Sequence, residues 1–184
     1  MAETQSFIHP ETLWREVGLA AGQTVVHLGC GAGFYLVPAA RLVGADGKVI
    51  GIDLMADLLE EAEGRARREG VDEVVQTIRA NLENPEGSTL EADSADWVLV
   101  ANILHQSSPT AILTEAARLV KPAGQVLVLD WDTAASPLGP PAEVRVPESA
   151  AREQAEAAGL ALVKAWRPSP YHYGLLLTPA GQPA

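Results

Sequence analysis

The apolar positions of this chain fall into two alternating patterns. Dense short runs, rich in Val, Ile and Leu, occur at 24–28, 48–53, 74–79, 96–101 and 125–130. Such runs read as strands buried on both faces of a sheet. Between them the apolar residues recur at helical spacing, which predicts helices over about 34–43, 56–69, 109–120 and 148–158. In the second of these, Leu58, Leu59 and Ala62 point inward, and Glu60, Glu61, Arg65, Arg67 and Arg68 form a solvated face. Pro38 falls inside the first helix and is tolerated only near its first turn, because it has no N–H to donate. Pro109 opens the third, where that N–H is not needed.

The two ends break the alternation. A short lead-in helix runs from Pro10 towards Gly18, with Leu13, Trp14 and Val17 on one face. It either packs on the rest of the chain or covers a ligand cleft. After Gly159, segments 160–166 and 171–177 read as strands joined by Arg167-Pro168-Ser169-Pro170. So short a link permits only an antiparallel pair, with its turn at the sheet's carboxyl edge. Residues 80–94 and 132–146 read as loops, and Lys121-Pro122-Ala123-Gly124 as a turn. Strands alternating with helices imply right-handed parallel crossovers. The expected fold is therefore α/β: a three-layer αβα sandwich around about seven mostly parallel strands, the last one antiparallel. Residues 1–184 are expected to form one domain, with 1–20 a helical lead-in and 179–184 a frayed tail.

One stretch carries more than packing. Val25-Val26-His27-Leu28 is followed by Gly29, Gly31 and Gly33 at alternate positions, and then by an Ala-rich helix. Strand, tight glycine turn and helix open a nucleotide-binding α/β unit. The glycines let the backbone turn sharply and let a ligand approach, and the helix start offers unpaired N–H groups. A glycine pattern alone is weak. It gains weight from Asp53, an acid that ends the next strand, whose carboxylate suits two ribose hydroxyls.

Composition narrows the field. Hydrophobic residues make up 47% of 184, enough for a sizeable core. The 24 acids against 13 bases give a net charge of −11, which argues against nucleic acid as a general partner and for a small-molecule substrate. The single cysteine, Cys30, excludes an internal disulfide and a multi-cysteine zinc site. His9, His27, His105 and His172 show no metal-ligand spacing. The start lacks a basic segment followed by an apolar one, and no apolar run reaches the roughly 18 residues of a membrane span, so the expected compartment is the cytoplasm.

Taken together, Val25–Gly33, Val49–Leu54, the 80–85 loop, Ala95–Asn102 and Val120–Asp130 resemble the class I S-adenosylmethionine-dependent methyltransferases. The resemblance implies a Rossmann-like fold, S-adenosylmethionine as cofactor and S-adenosylhomocysteine as product. By position, it implies that Gly29, Gly31 and Gly33 line the methionine part, with His27 and Cys30 also among the cofactor-binding residues. Asp53 would meet the ribose, Leu54 the adenine face, and Asn81 and Leu82 the adenine edge. Ala101 and Asn102 would lie near the sulfonium. Two positions depart from the family: His27 stands where an acid is usual, and Asn81 where Asp is common.

Acceptor chemistry is expected beyond the strand ends. His105 has the side chain of a general base. Asp130, Trp131 and Asp132 close the fifth strand, and Arg167, Tyr171, His172 and Tyr173 surround the last turn. The fourth strand leads to Ala101-Asn102-Ile103-Leu104, without the Asn-Pro-Pro-Tyr of the amide- and adenine-amino-methylating branches. A lone cysteine disfavours an arsenic-type acceptor. Two other readings stand beside methyl transfer. One is a catalytically weak or inactive relative with a binding or regulatory role, motivated by His27 and Asn81. The other is an NAD-dependent oxidoreductase, which would want glycine at Phe34 and a separate substrate domain. No pattern in the chain fixes an oligomeric state.

Overall fold

The computed structural model describes residues 8–134, 136 and 138–181. In chain order its elements are α1 (Pro10–Val17), β1 (Thr24–Leu28), α2 (Leu36–Val43), β2 (Lys48–Asp53), α3 (Ala56–Arg68), β3 (Val75–Arg79), β4 (Ala95–Ala101), α4 (Pro109–Leu119) and β5 (Val120–Trp131). A 3-10 turn (Ala142–Val144), α5 (Glu148–Ala157), β6 (Leu160–Ser169) and β7 (His172–Pro179) follow. The seven strands form one sheet in the order β3-β2-β1-β4-β5-β7-β6. All pairs among β1 to β5 are parallel, and β7 runs antiparallel to both β5 and β6. This is the Rossmann-like α/β sandwich expected from the chain pattern, with the reversed strand where the four-residue link required it.

Strand alternation divides the core in two. Val25, Val49, Trp97, Leu99, Leu127 and Leu129 pack under α1, α2 and α3. Val26, Leu28, Ile50, Ile52, Val98, Val100, Val126 and Val128 pack under α4 and α5. Both sets are buried, which is why these strands read as continuous apolar runs. The strand order reverses direction at β1, between β2 and β4, so a crevice opens beyond their carboxyl ends.

Several boundaries differ from expectation for local reasons. Helix α2 starts at Leu36, two residues late, because the glycine turn continues through Tyr35. Pro38 then sits in the first turn, the one place it fits. Lys121–Gly124 is not a free turn but the start of β5, which pairs Val120 with Ala95 and then bulges to pair Gln125 with Trp97. Gly124 permits this, since a Cβ there would lie 2.8 Å from the Asp96 carbonyl oxygen. The last hairpin extends to Ser169 through a second irregularity. Pro179 ends β7 and the Ala180 N–H bonds the Gly159 carbonyl at 2.8 Å, so the frayed tail expected from 179 does not begin there. Residues 1–7 and 182–184 of the expected lead-in and tail lie outside the described residues.

Helix α1 packs on the sheet. Trp14 is fully buried, meets Trp97 edge-on at 6.2 Å, and donates its indole N–H to the Tyr35 carbonyl at 3.2 Å. Gly18, at φ +90°, ends the helix in a left-handed cap. The 80–94 loop is held by a buried cluster. The Ser88 hydroxyl donates to Glu115, and the Arg118 guanidinium donates to both Glu115 oxygens at 2.8 and 2.7 Å. Burial pushes the Glu115 carboxyl up, but the hydrogen bonds from Arg118 and Ser88 outweigh it and hold it below its ordinary value. Among the described residues no helix is long and apolar enough to cross a membrane.

Candidate functional site

A cleft of about 570 Å³ opens at the carboxyl ends of β1, β2 and β4. The β1–α2 turn forms one wall. Gly29, Gly31 and Gly33 all have positive φ, at +71°, +51° and +79°. Their surroundings give them different duties. A Cβ at Gly29 would lie 2.2 Å from Ile103 Cδ1, and one at Gly33 2.9 Å from Ala62 Cβ on α3. At Gly31 nothing lies within 4 Å, and that residue lines the cleft. Gly29 and Gly33 therefore allow close packing, while Gly31 keeps the cleft floor clear. Gly29 and Gly31 line the cleft; Gly33 does not.

Asp53 crosses from β2 to this turn. Its Oδ2 accepts the Gly31 N–H at 2.8 Å, and its Oδ1 accepts the Met55 N–H at 3.0 Å. The carboxylate thus fixes the turn and keeps lone pairs on both oxygens for further donors. Cys30 lies beneath, buried, with burial and the nearby Asp53 charge pushing its thiol up to about 12. It fills space against Gly51, where a Cβ would lie 2.8 Å from Cys30 Sγ. A thiol so raised is no nucleophile.

His27 lines the cleft from β1. It is 2% exposed and stands edge-on to the Tyr35 ring at 5.6 Å. Burial pushes its pKa down to about 3, so the imidazole is neutral. Neither ring nitrogen has a hydrogen-bond partner among the described residues. Asn102, at the end of β4, is the second such group: φ is +55° and its buried Oδ1 has no partner. On the opposite wall Asn81 Oδ1 accepts the Glu83 N–H at 3.0 Å, closing a turn that sets the 80–83 backbone. Leu82 is buried in the core and bounds the cleft beside Asn81, and Ala101 bounds it at the end of β4.

The mouth is apolar. Phe34, Leu54 and Met55 are about half exposed, at 52%, 52% and 51%. Leu54 was expected here; Phe34, Met55, Leu58, Ile103 and Gln106 were not. The available signal was a large apolar residue directly after the glycine turn and another after the strand-end acid, where a chain leaving a sheet is usually polar.

The acceptor candidates gather separately. His105 does not line the cleft; its Nδ1 lies 3.7 Å from Asp130 Oδ1. Trp131 stacks on His172 at 4.2 Å, and His172 Nδ1 meets the Ser169 hydroxyl at 2.8 Å. Asp132 and Glu148 both pair with Arg167, at 3.0 and 2.8 Å. The 132–146 loop closes around Arg145, which donates to the carbonyls of Asp132, Ala134, Leu138 and Pro140. A further cavity of about 540 Å³ lies between Leu13 and Glu16 of α1 and Trp166 and Ser169 of β6.

Comparison with known proteins identifies the family. The family model described as a methyltransferase domain matches residues 19–169. An arsenite methyltransferase from Aquipseudomonas alcaligenes is 34% identical over 138 residues, covering 68% of this chain and 39% of that protein. A ribosomal protein L11 methyltransferase from Vibrio vulnificus is 38% identical over 123 residues, covering 64% of this chain and 38% of that protein. The chain thus spans little more than a third of the length of either. A crystal structure of an S-adenosylmethionine-dependent methyltransferase from Aquifex aeolicus superposes with a TM-score of 0.84 at 28% identity, over 92% of this chain and 89% of that one. Sheet order, glycine turn, strand-end acid and sequence match converge, and the chain belongs to the methyltransferase-domain family of class I, S-adenosylmethionine-dependent enzymes.

Proposed function

We propose that this protein binds S-adenosylmethionine in the β1–β2–β4 cleft and transfers its methyl group to a small-molecule acceptor. The observation that carries the reading is the pairing of Asp53 with the glycine turn. A strand-end carboxylate grips Gly31, keeps free lone pairs, and borders ground on which no side chain stands. The two orphaned polar groups fit the same ligand. His27 and Asn102 supply hydrogen bonds of either sense on the side where the cofactor's amino-acid end and sulfonium belong. Gly29, Cys30 and Gly31 line that end, with Gly33 holding the turn against α3. Asp53 accepts the ribose hydroxyls as charge-assisted bonds. Leu54, with Phe34 and Met55, covers the adenine, whose edge meets Asn81 and Leu82, and Ala101 backs the sulfonium.

Bound there, the cofactor supplies a methyl group already activated on a positive sulfur. What remains for the protein is alignment and exclusion of water, and alignment alone is worth up to roughly 7–11 kcal/mol. The apolar mouth serves the exclusion. His105 takes the proton of an acceptor that must lose one. Although some relatives are named arsenite methyltransferases, trivalent arsenic is held by soft thiolates. The only cysteine here is buried with its thiol raised, which argues for an organic acceptor.

Calorimetric titration tests the reading. S-adenosylmethionine and S-adenosylhomocysteine should both bind, NAD should not, and Asp53→Ala should weaken both by roughly 10- to 150-fold. No heat with either sulfur ligand at millimolar concentration would overturn it in favour of a relative without cofactor function.

A further inference from the structure

The end of β5 holds a second acid whose surroundings assign His105 a tautomer. Asp130 is fully buried. Its Oδ2 accepts the Leu104 N–H at 3.0 Å and its Oδ1 accepts the Trp131 N–H at 2.8 Å. The Leu104 bond pins the segment carrying His105 onto β5. His105 Nδ1 then lies 3.7 Å from Asp130 Oδ1, buried, with no hydrogen-bond partner among the described residues. The His105 side chain keeps 11% of its surface exposed.

A neutral imidazole carries its proton on one nitrogen only. A lone pair on Nδ1 would face the lone pairs of a buried carboxylate 3.7 Å away, and the ring nitrogen would find no donor there. A proton on Nδ1 faces the same carboxylate as a donor. Building on the methyl-transfer reading above, we propose that Asp130 is a positioning residue that holds His105 in the Nδ1–H tautomer and so leaves the lone pair on Nε2. Nε2 is then the atom that takes the acceptor's proton. The acceptor's heteroatom–hydrogen bond breaks, its proton bonds to Nε2, and its electron pair stays on the heteroatom, as attack on a methyl group requires. The imidazolium so formed faces a negative charge that is already in place.

Tyr173 is the competing partner. Its Cα pairs with that of Asp130 across the β5–β7 ladder, and its buried hydroxyl also lacks a partner among the described residues. The two assignments are separable.

The experiment uses the full chain with 15N-labelled histidine and no cofactor. Long-range 1H–15N correlation at neutral pH reads the protonated nitrogen of each ring directly, and His105→Gln assigns the His105 signals. The expected result is a single tautomer protonated at Nδ1, which becomes mixed in Asp130→Asn and stays unchanged in Tyr173→Phe. An Nε2–H tautomer in the unsubstituted protein overturns the proposal, and so does an Asp130→Asn spectrum identical to it or a Tyr173→Phe spectrum that shifts. If Asp130→Asn does not fold, the unsubstituted protein and Tyr173→Phe still decide. Titrating the same sample with S-adenosylhomocysteine keeps the two readings apart. Failure to bind removes the function proposed above and leaves the tautomer result standing, whereas binding with an Nε2–H His105 removes only Asp130's role.

Discussion

Asp53 and Asp130 stand at or next to the end of a parallel strand, and each carboxylate accepts two backbone N–H groups at 2.8–3.0 Å. They differ in what else they touch. Asp53 ends β2, faces the glycine turn and stays partly open to the cleft. Asp130 stands next to the end of β5, lies on the opposite face of the sheet and has no exposed surface. The same residue at the same kind of position is thus a cleft-facing group in one place and an internal tie in the other. Burial decides which, because water can satisfy whatever an exposed carboxylate leaves unpaired.

The largest expected effect tests that distinction directly. Asp130→Ala leaves the Leu104 and Trp131 N–H groups without their acceptor and removes the charge facing His105, at roughly 1–3 kcal/mol for each orphaned donor. Urea unfolding should show a loss of about 2–5 kcal/mol, within the range for breaking a buried network. Asp53→Ala exposes its two N–H groups to solvent, so stability should fall by less than about 1 kcal/mol. Its cost appears in binding. Losing charged hydrogen bonds worth about 1.5–3 kcal/mol lowers S-adenosylhomocysteine affinity by roughly 10- to 150-fold. A pair of variants with the reverse pattern, Asp53→Ala unfolded and Asp130→Ala stable, would erase the comparison.

The glycine turn offers the same contrast on a smaller scale. Gly33→Ala forces a positive φ on a residue with a Cβ and drives it to 2.9 Å from Ala62 on α3. We expect a stability loss of about 1–3 kcal/mol and little change in ligand affinity once folded. Gly31→Ala carries only the φ penalty, about 1 kcal/mol, since nothing lies within 4 Å. Its methyl group would stand on the cleft floor, so calorimetry should show the larger affinity loss for Gly31→Ala and thermal melting the larger stability loss for Gly33→Ala.

This contrast also explains what was legible in the chain. The Asp53 side of the cleft is built from neighbours in sequence, a run, a turn and the next strand end, so spacing alone exposes it. The strands themselves were legible for the same reason, because buried parallel strands leave dense apolar runs; their order in the sheet was not. The Asp130 side is built from contacts across 26 residues to Leu104 and 43 to Tyr173. Nothing local marks Asp130 as buried or His105 as its partner. The 132–146 loop is similar: its order comes from one guanidinium reaching four carbonyls, and composition shows only a loop. The resemblance puts Gly33 at the ligand, but Ala62, 29 residues away, gives it a packing role. The half-exposed apolar mouth at Phe34 and Met55 was visible as residues but not as a surface.

His27 supplies the smallest effect and the cleanest sign. Its pKa is about 3 in the folded protein against 6.5 for the free side chain. A folded value below the unfolded one means that the unfolded chain binds the proton first. The stabilisation is therefore complete above about pH 6.5 and drains away as pH falls toward 3, at up to roughly 1.4 kcal/mol per unit. His172, pushed down by burial although Asp130 opposes the shift, drains in the same direction. Glu115, held low mainly against burial by Arg118 and Ser88, loses its contribution only at lower pH, below the ordinary carboxylate value of 4.5. The windows separate at about pH 5, and a substitution isolates His27 within the upper one. Urea unfolding near pH 7.5 and near pH 5 should show the stability drop shrink by roughly 2 kcal/mol in His27→Asn relative to the unsubstituted protein. An undiminished drop in His27→Asn would mean that the ring is protonated in the folded state, and the cleft would then be cationic rather than neutral at the turn.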